Sequence, residues 1–322
     1  MTRPDSAPMQ MLDTSDVVFV YGALRSGTTV FRLMLDAHPQ IANPGEMDFL
    51  FDFLSPDPSH PTGWRYNRDG LALSRIFQSK ALTLVPDLDG LDLLAAFLDQ
   101  LRAAHPGQVL SINLHRGIDR VMALMPDVRV IHMLRDPRDV ARSSIAMGWA
   151  GTLYHGVGHW LHTEADWDRG IPAGGRVHRL RFEDLFTDID TALKEVCGFF
   201  DLPYDPQMLT YHENTTYGAP DPSLIQHWRK KADPAQIALL EHRARDMMTA
   251  RGYPPEMPAV SPGAATMMTL GLRDKISKWR FGSRRYGAPM YWAEKITRTL
   301  RLKGPHRRLR QRMNRIEQAL VK

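Results

Sequence analysis

Cysteine is almost missing from this chain: Cys197 stands alone among 322 residues. No internal disulfide can form, so a disulfide-stapled secreted scaffold is excluded and a reducing cytoplasm is the simpler expectation. Long apolar runs are lacking as well. Two uncharged stretches, 143–163 and 257–272, are broken by glycines, histidines, prolines or serines, and neither is apolar enough to span a bilayer. The start does not resemble a secretory signal, because Arg3, Asp5, Asp13 and Asp16 punctuate it between prolines; residues 1–14 are expected to form a flexible arm. Acidic residues are scarce in one region only. Residues 271–322 hold 16 Lys/Arg against 3 Asp/Glu, whereas residues 1–270 hold 25 against 33, so a strongly basic tail follows an acidic body. That asymmetry points to an anionic partner: a polymer, a membrane surface or the body itself.

What is present is an alternation of strands and helices. The β-branched and aromatic run Val17-Val18-Phe19-Val20 leads into Gly22 and then into a segment with apolar residues at Val30, Leu33, Met34 and Ala37. This reads as strand, glycine loop, helix. Residues 55–70, rich in proline and turn formers, read as a long surface connection, and helical spacing resumes at Leu91, Leu94, Ala95 and Leu98. Further strands are expected at Val109 to Leu114, Val128 to Leu134 and Val177 to Phe182, with helices at Ile118 to Met125 and Ile189 to Phe200. Between them, Asp136-Pro137 suits a capped helix start. The order implies an α/β fold with a parallel sheet covered on both faces.

The segment Gly22-Ala23-Leu24-Arg25-Ser26-Gly27-Thr28-Thr29 follows a strand and opens a helix. Its backbone N–H groups and the helix N-terminus converge on an anion, which makes it a phosphate cradle by geometry. Compared with the nucleotide-triphosphatase pattern G-x-x-x-x-G-K-[ST], Thr28 stands where the lysine belongs, so a triphosphate fits poorly and the positive charge sits at Arg25 instead.

Arg25-Ser26-Gly27-Thr28-Thr29 after a strand resembles the 5′-phosphosulfate loop of sulfotransferases that use 3′-phosphoadenosine 5′-phosphosulfate (PAPS). Leu134-Arg135-Asp136-Pro137-Arg138-Asp139-Val140-Ala141-Arg142-Ser143 is similar to that family's 3′-phosphate motif, with Arg135 and Ser143 in the binding places. Arginine presents a fork of donors to phosphate oxygens, and a helical hydroxyl adds another. Arg181-Phe182-Glu183-Asp184-Leu185 followed by Phe199-Phe200-Asp201-Leu202-Pro203, and later His227-Trp228-Arg229-Lys230-Lys231, resemble the family's following strand and helix and its late basic cofactor segment. The four motifs stand in the family's order and cover about residues 17–250.

Sulfuryl transfer needs a base for the acceptor and a cation for the bridging oxygen. The resemblance assigns the cation to Arg25. Near Ala37-His38-Pro39 and Gly45-Glu46 the chain looks like the tyrosylprotein branch, which makes Glu46 the expected base; His115, the nearest equivalent of the histidine used in the small-molecule branch, comes second. Three departures stand out: Val30 replaces an adenine-stacking tryptophan, Phe182 replaces a tyrosine, and a strand-end lysine is missing where Asn113, His115 and Arg116 stand.

His155, His159 and His162 would share one side of a helix, but no cysteine or carboxylate completes a ligand set, and no metal is expected. In the tail, Trp292, Ile296 and Leu300 repeat at helical spacing, as do Leu309, Met313, Ile316 and Leu320, with arginines crowding the other faces. These stripes are expected either to pack on the body or a second copy, or to rest on an anionic membrane through residues 271–322. The expectation is a three-layer α/β sandwich with a P-loop-like sulfotransferase domain at 15–258 and a basic amphipathic helical extension at 259–322. The donor would be PAPS and the product adenosine 3′,5′-bisphosphate (PAP). The acceptor would be a small molecule, lipid or glycan, and nucleic acid is not expected as a partner. The rivals are a nucleotide kinase or triphosphatase using the same loop, and a non-enzymatic membrane-binding protein built on the tail.

Overall fold

The computed structural model describes residues 12–320; residues 1–11, most of the expected N-terminal arm, lie outside the described residues. The strands are β1 (Val17–Tyr21), β2 (Ile41–Glu46), the short β3 (Leu54–Pro56) and β4 (Trp64–Tyr66), then β5 (Val109–Leu114), β6 (Arg129–Leu134) and β7 (Val177–Arg181). Five of them form one sheet in the order β2-β5-β1-β6-β7, with every neighbouring pair parallel. Because side chains alternate along a strand, β1 feeds two cores. Val17, Phe19 and Tyr21 join one with Leu94, Phe97 and Leu98 of the helix Gly90–Ala104. Val18 and Val20 join the other with Phe31, Met34 and Leu35 of helix Thr28–Asp36 and Leu193 and Val196 of helix Ile189–Phe199. All five β1 residues are buried, each large apolar side chain contributing about 1.5–3 kcal/mol. The three-layer parallel arrangement expected from the alternation is therefore present.

Two regions hold strands that the sequence reading did not name. The stretch 41–46 is a strand although it contains Asn43-Pro44-Gly45. It lies at the sheet edge, where a missing N–H is tolerated, and its register on β5 shifts between Ala42 and Gly45. Residues 55–70 are not a bare connection: β3 and β4 pair antiparallel, and the helix Arg68–Ala72 follows with Asn67 as its cap. Buried Leu54 and Tyr66 explain this order, since the Tyr66 hydroxyl also donates to the Leu50 carbonyl at 2.7 Å.

The chain divides into two compact units: Met1–Arg135 with His162–Pro222, and Asp136–Leu161 with Ser223–Lys322. The first contains the sheet. In the second, helix Pro137–Ala146 begins as expected, with Asp136 accepting from the Arg138 N–H at 2.9 Å and Pro137 in the first turn. Arg138 is buried and held by Asp136 and Glu241, each at 2.9 Å, while its guanidinium makes a cation–π contact with Trp228 at 4.1 Å. The Trp228 ring N–H and backbone N–H donate in turn to Asp136 and Asp139. The helical C-terminal extension follows as Ala264–Tyr286, Ala288–Thr299 and Lys303–Leu320. Its first helix is anchored where Asp274 accepts from the Gly151 N–H at 2.7 Å and where the Phe281 ring covers Gly148. Met313 of the last helix is buried, whereas Trp292, Ile296 and Leu300 are exposed; the Leu320 side chain lies outside the described residues.

Candidate active site

The glycine loop joins β1 to helix Thr28–Asp36. Gly27 occupies the left-handed region at φ 89°, and a Cβ there would lie 2.0 Å from Cδ2 of Phe182. Only glycine suits both demands. Arg25 also has positive φ, 74°, a conformation that costs a non-glycine residue about 1–3 kcal/mol and that places its exposed side chain beyond the loop. No side chain caps the helix, so the first-turn amides beginning at Thr28 remain as anion donors. Ser26 is fully buried and its Oγ has no hydrogen-bond partner among the described residues. Thr28 is buried beside it in sequence and Thr29 half-buried. The Ser26 N–H is taken by the Ala23 carbonyl at 3.0 Å, but its orphaned hydroxyl beside an uncapped helix start fits a phosphate.

A second cationic group abuts this cradle. Arg135 Nη1 donates to the Arg25 carbonyl at 3.2 Å, and its guanidinium lies over the Phe182 ring at 4.0 Å. Phe182 thus supports Gly27 with one part of its ring and Arg135 with its face. The absent tyrosine hydroxyl is not needed for either contact.

The base candidates converge at the ends of β2 and β5. Asn43 shapes this edge: its side-chain oxygen accepts from the Gly45 N–H at 2.8 Å, and its amide donates to Ser111 and Asn113, both at 3.0 Å. Asn113 donates onward to the Thr28 carbonyl at 3.3 Å, which ties the β2 bulge to the loop helix. Glu46, its side chain 43% exposed, lies 3.6 Å from Nε2 of buried His115. The opposite ring nitrogen, Nδ1, is 2.7 Å from the Gly22 carbonyl, which only accepts; Nδ1 therefore carries a proton and Nε2 faces Glu46. The His115 backbone N–H donates to Asp48 at 2.8 Å.

Electrostatics reinforce the pair. Burial opposes charging of His115, yet Glu46 and Asp48 outweigh it and raise the imidazole pKa. His115 is the main cause holding Glu46 below the usual carboxylate range, against burial and with help from Lys80 and Arg32. Lys80 was not legible as a site residue. It follows a short helix far along the chain, yet its ammonium donates to the Pro44 carbonyl next to Glu46. Burial and then Arg32 lower its own pKa. Arg116, a candidate replacement for the missing lysine, instead commits Nε and Nη2 to Asp52.

The remaining donor-binding candidates, with His155 and His159, lie in the second unit, and His162 lies in the first. Ser143 is half-buried on helix Pro137–Ala146. Arg229 gives both terminal nitrogens to Glu256 at 2.5 Å and Nε to Gln226 at 2.8 Å, while Lys230 is exposed. His155 bonds to Thr152 at 2.8 Å and His159 packs edge-on against Trp149. Among the described residues no group of three His, Cys, Asp or Glu side chains is arranged to hold a metal.

A parallel sheet with a glycine loop at the end of β1 and a Glu–His pair beside it is an arrangement suited to group transfer. The sequence profile of the Sulfotransferase family matches residues 17–206, and the chain belongs to that family. A Caenorhabditis briggsae protein named "Putative protein-tyrosine sulfotransferase" is 26% identical over 211 residues, 61% of this chain and 69% of that relative. An uncharacterised Aquifex aeolicus protein is 23% identical over 221 residues, but the match spans only 27% of its length. Among solved structures, the sulfotransferase domain from the curacin biosynthetic pathway superposes with a TM-score of 0.54 at 17% identity, covering 75% of this chain and 98% of that one. The sulfotransferase domain of the Synechococcus PCC 7002 olefin synthase gives 0.54 at 20% identity, covering 76% and 98%. These two share the fold.

Proposed function

We propose that this sulfotransferase moves a sulfonate from PAPS to a hydroxyl, or secondarily an amine, of a small-molecule, lipid or glycan acceptor in the cytoplasm. The observation that carries the donor assignment is the contact of Arg135 with the loop itself. It gives one unit two adjacent anion-binding groups, as a donor with phosphates at both ends requires. In this reading the amides of residues 25–29, with the Ser26, Thr28 and Thr29 hydroxyls, hold the 5′-phosphate and Arg135 meets the 3′-phosphate; the motif resemblance assigns Ser143 to the 3′-phosphate as well. The resemblance also assigns Arg229 and Lys230, late in the chain, to the cofactor.

The chemistry follows from the charges. Glu46 is ionised at neutral pH and takes the acceptor proton as the acceptor oxygen bonds to sulfur. The sulfur–oxygen bond to the 5′-phosphate breaks in line, its electron pair stays on the phosphate, and Arg25 neutralises that oxygen. His115 orients Glu46 through Nε2 and offers a second proton site. Arginines and oriented amides supply the positive charge, so the reading calls for no metal, and the domain responsible is the segment 15–258.

Calorimetry with adenosine 3′,5′-bisphosphate, 5′-AMP and ATP tests it. The bisphosphate should bind most tightly, and Arg135→Ala should erase roughly tenfold to a hundredfold of its advantage over 5′-AMP, the scale of charge-assisted hydrogen bonds. Glu46→Gln should leave bisphosphate affinity intact while lowering turnover about 10²–10⁴-fold. A bisphosphate that binds no better than 5′-AMP refutes the donor assignment. Full turnover in Glu46→Gln passes the base role to His115.

A further inference from the structure

The three helices of the extension each carry an apolar row, and packing closes only the last of them. On the last helix Met313 is buried, with Leu309 and Ile316 half-buried, so that stripe is spent on packing. On helix Ala264–Tyr286, Leu270, Asp274 and Gly282 face inward, whereas Met268, Leu272 and Trp279, spaced by four and seven residues, are exposed together on another face. On helix Ala288–Thr299, Trp292 and Ile296, followed by Leu300, form a second exposed row, while Tyr291 and Glu294 are buried. The rows meet where the Trp279 and Trp292 rings contact at 5.5 Å. The result is one apolar seam running across two helices, its six residues between 41% and 75% exposed.

The charge around it is of one sign. Lys275 lies one turn before Trp279 on the same face, Arg280 follows it, and Arg301 and Lys303 follow Leu300; all four are exposed. Only three acidic residues stand in the whole stretch 271–322, and two of them are buried and held: Asp274 by Lys278 and the Gly151 N–H, Glu294 by Arg298 one turn on. No described helix is long and apolar enough to cross a membrane. An exposed tryptophan pair flanked by aliphatics and rimmed by long cationic side chains matches the depth profile of a lipid interface. Indole rings and aliphatic tips enter the acyl boundary there, and lysine and arginine reach back to headgroup phosphates.

We propose that this seam is a docking face for an anionic lipid surface. It engages the membrane in the plane of the two helices and leaves the Leu309–Met313–Ile316 row inside the protein. The proposal is independent of the donor chemistry, and its test uses no turnover. Truncation at residue 270 is a poor probe, because it also strips Asp274 and Phe281 from Gly151 and Gly148.

The full chain should co-sediment with vesicles of phosphatidylcholine and phosphatidylglycerol but not with phosphatidylcholine alone, with tryptophan emission shifting to the blue. The triple variant Trp279→Ser, Trp292→Ser, Ile296→Ser, all exposed positions, should keep the wild-type circular dichroism and lower the partition coefficient by at least roughly tenfold. Lys275→Glu with Lys303→Glu should weaken binding with the apolar seam intact, as should raised salt. The proposal is overturned by absent binding to the anionic vesicles or by equal partition of the triple variant. It is equally overturned if seam substitutions convert a dimer into a monomer in sedimentation while vesicle partition stays unchanged, which would identify a second copy of the chain as the occupant.

Discussion

Gly27→Ala offers a quantitative test of the loop. The substitution has two separable costs. Gly27 sits at φ 89°, where a Cβ meets the following carbonyl and costs about 1–2 kcal/mol. The same Cβ would lie 2.0 and 2.3 Å from two carbons of the Phe182 ring. That ring is not free to retreat, being 2% exposed, stacked under Arg135 at 4.0 Å and packed on Phe186 at 4.7 Å. Overpacking of this kind costs about 1–3 kcal/mol. Urea unfolding should therefore show a loss of about 2–5 kcal/mol with an unchanged slope. In a Phe182→Leu background the steric part relaxes but the backbone part stays, so adding Gly27→Ala there should cost only about 1–2 kcal/mol. The non-additivity is the signature of contact. A single variant within about 0.5 kcal/mol of wild type, or equal costs in the two backgrounds, would refute the reasoning.

The acid–base pair predicts a pH signature. His115 has a raised pKa, so the stability from its pairing is complete below the ordinary imidazole value and is lost as pH rises through the folded value. Glu46 has a lowered pKa, so its share is present above the ordinary carboxylate value and is lost as pH falls through the folded one. Glu46→Gln should accordingly lower the His115 pKa in an NMR titration, and its destabilisation should be greatest between those two ordinary values and vanish in alkali; an unmoved His115 titration counts against the pairing. Removing Lys80 as Lys80→Met should raise the Glu46 pKa and shift the acid limb of the rate profile to higher pH, a shift that a merely structural lysine would not cause. Arg138→Ala strands Asp136 and Glu241 in a buried site and should cost about 3–5 kcal/mol in thermal or urea unfolding, with Arg138→Lys recovering only part of it.

Much of the candidate site's local structure was legible before folding because its parts are local. The loop from Gly22 to Thr29 and the Asp136-Pro137 helix start are short windows in which backbone chemistry dictates geometry, and both form as read. The strand β2 was not legible, since Asn43-Pro44-Gly45 reads as a turn until a neighbouring strand and Asn43's own side chain turn it into a sheet edge. The order within 55–70 escaped for a similar reason: its strands are three residues each and gain their stability from burying Leu54 and Tyr66 against distant residues.

The sequence by itself determined the fold class and the strand, glycine loop and helix at its start, and it named Glu46 and His115 as separate candidates. Periodicity, glycine placement and short motifs are properties of neighbouring residues. Only the tertiary structure decided that Glu46 and His115, 69 positions apart in the chain, are one pair at 3.6 Å, that Lys80 joins them, and that Phe182 underlies both Gly27 and Arg135. It also decided which apolar rows of the tail are left open. Each of these depends on the distance between remote segments, and that distance is set by strand register and by which helix face the core claims.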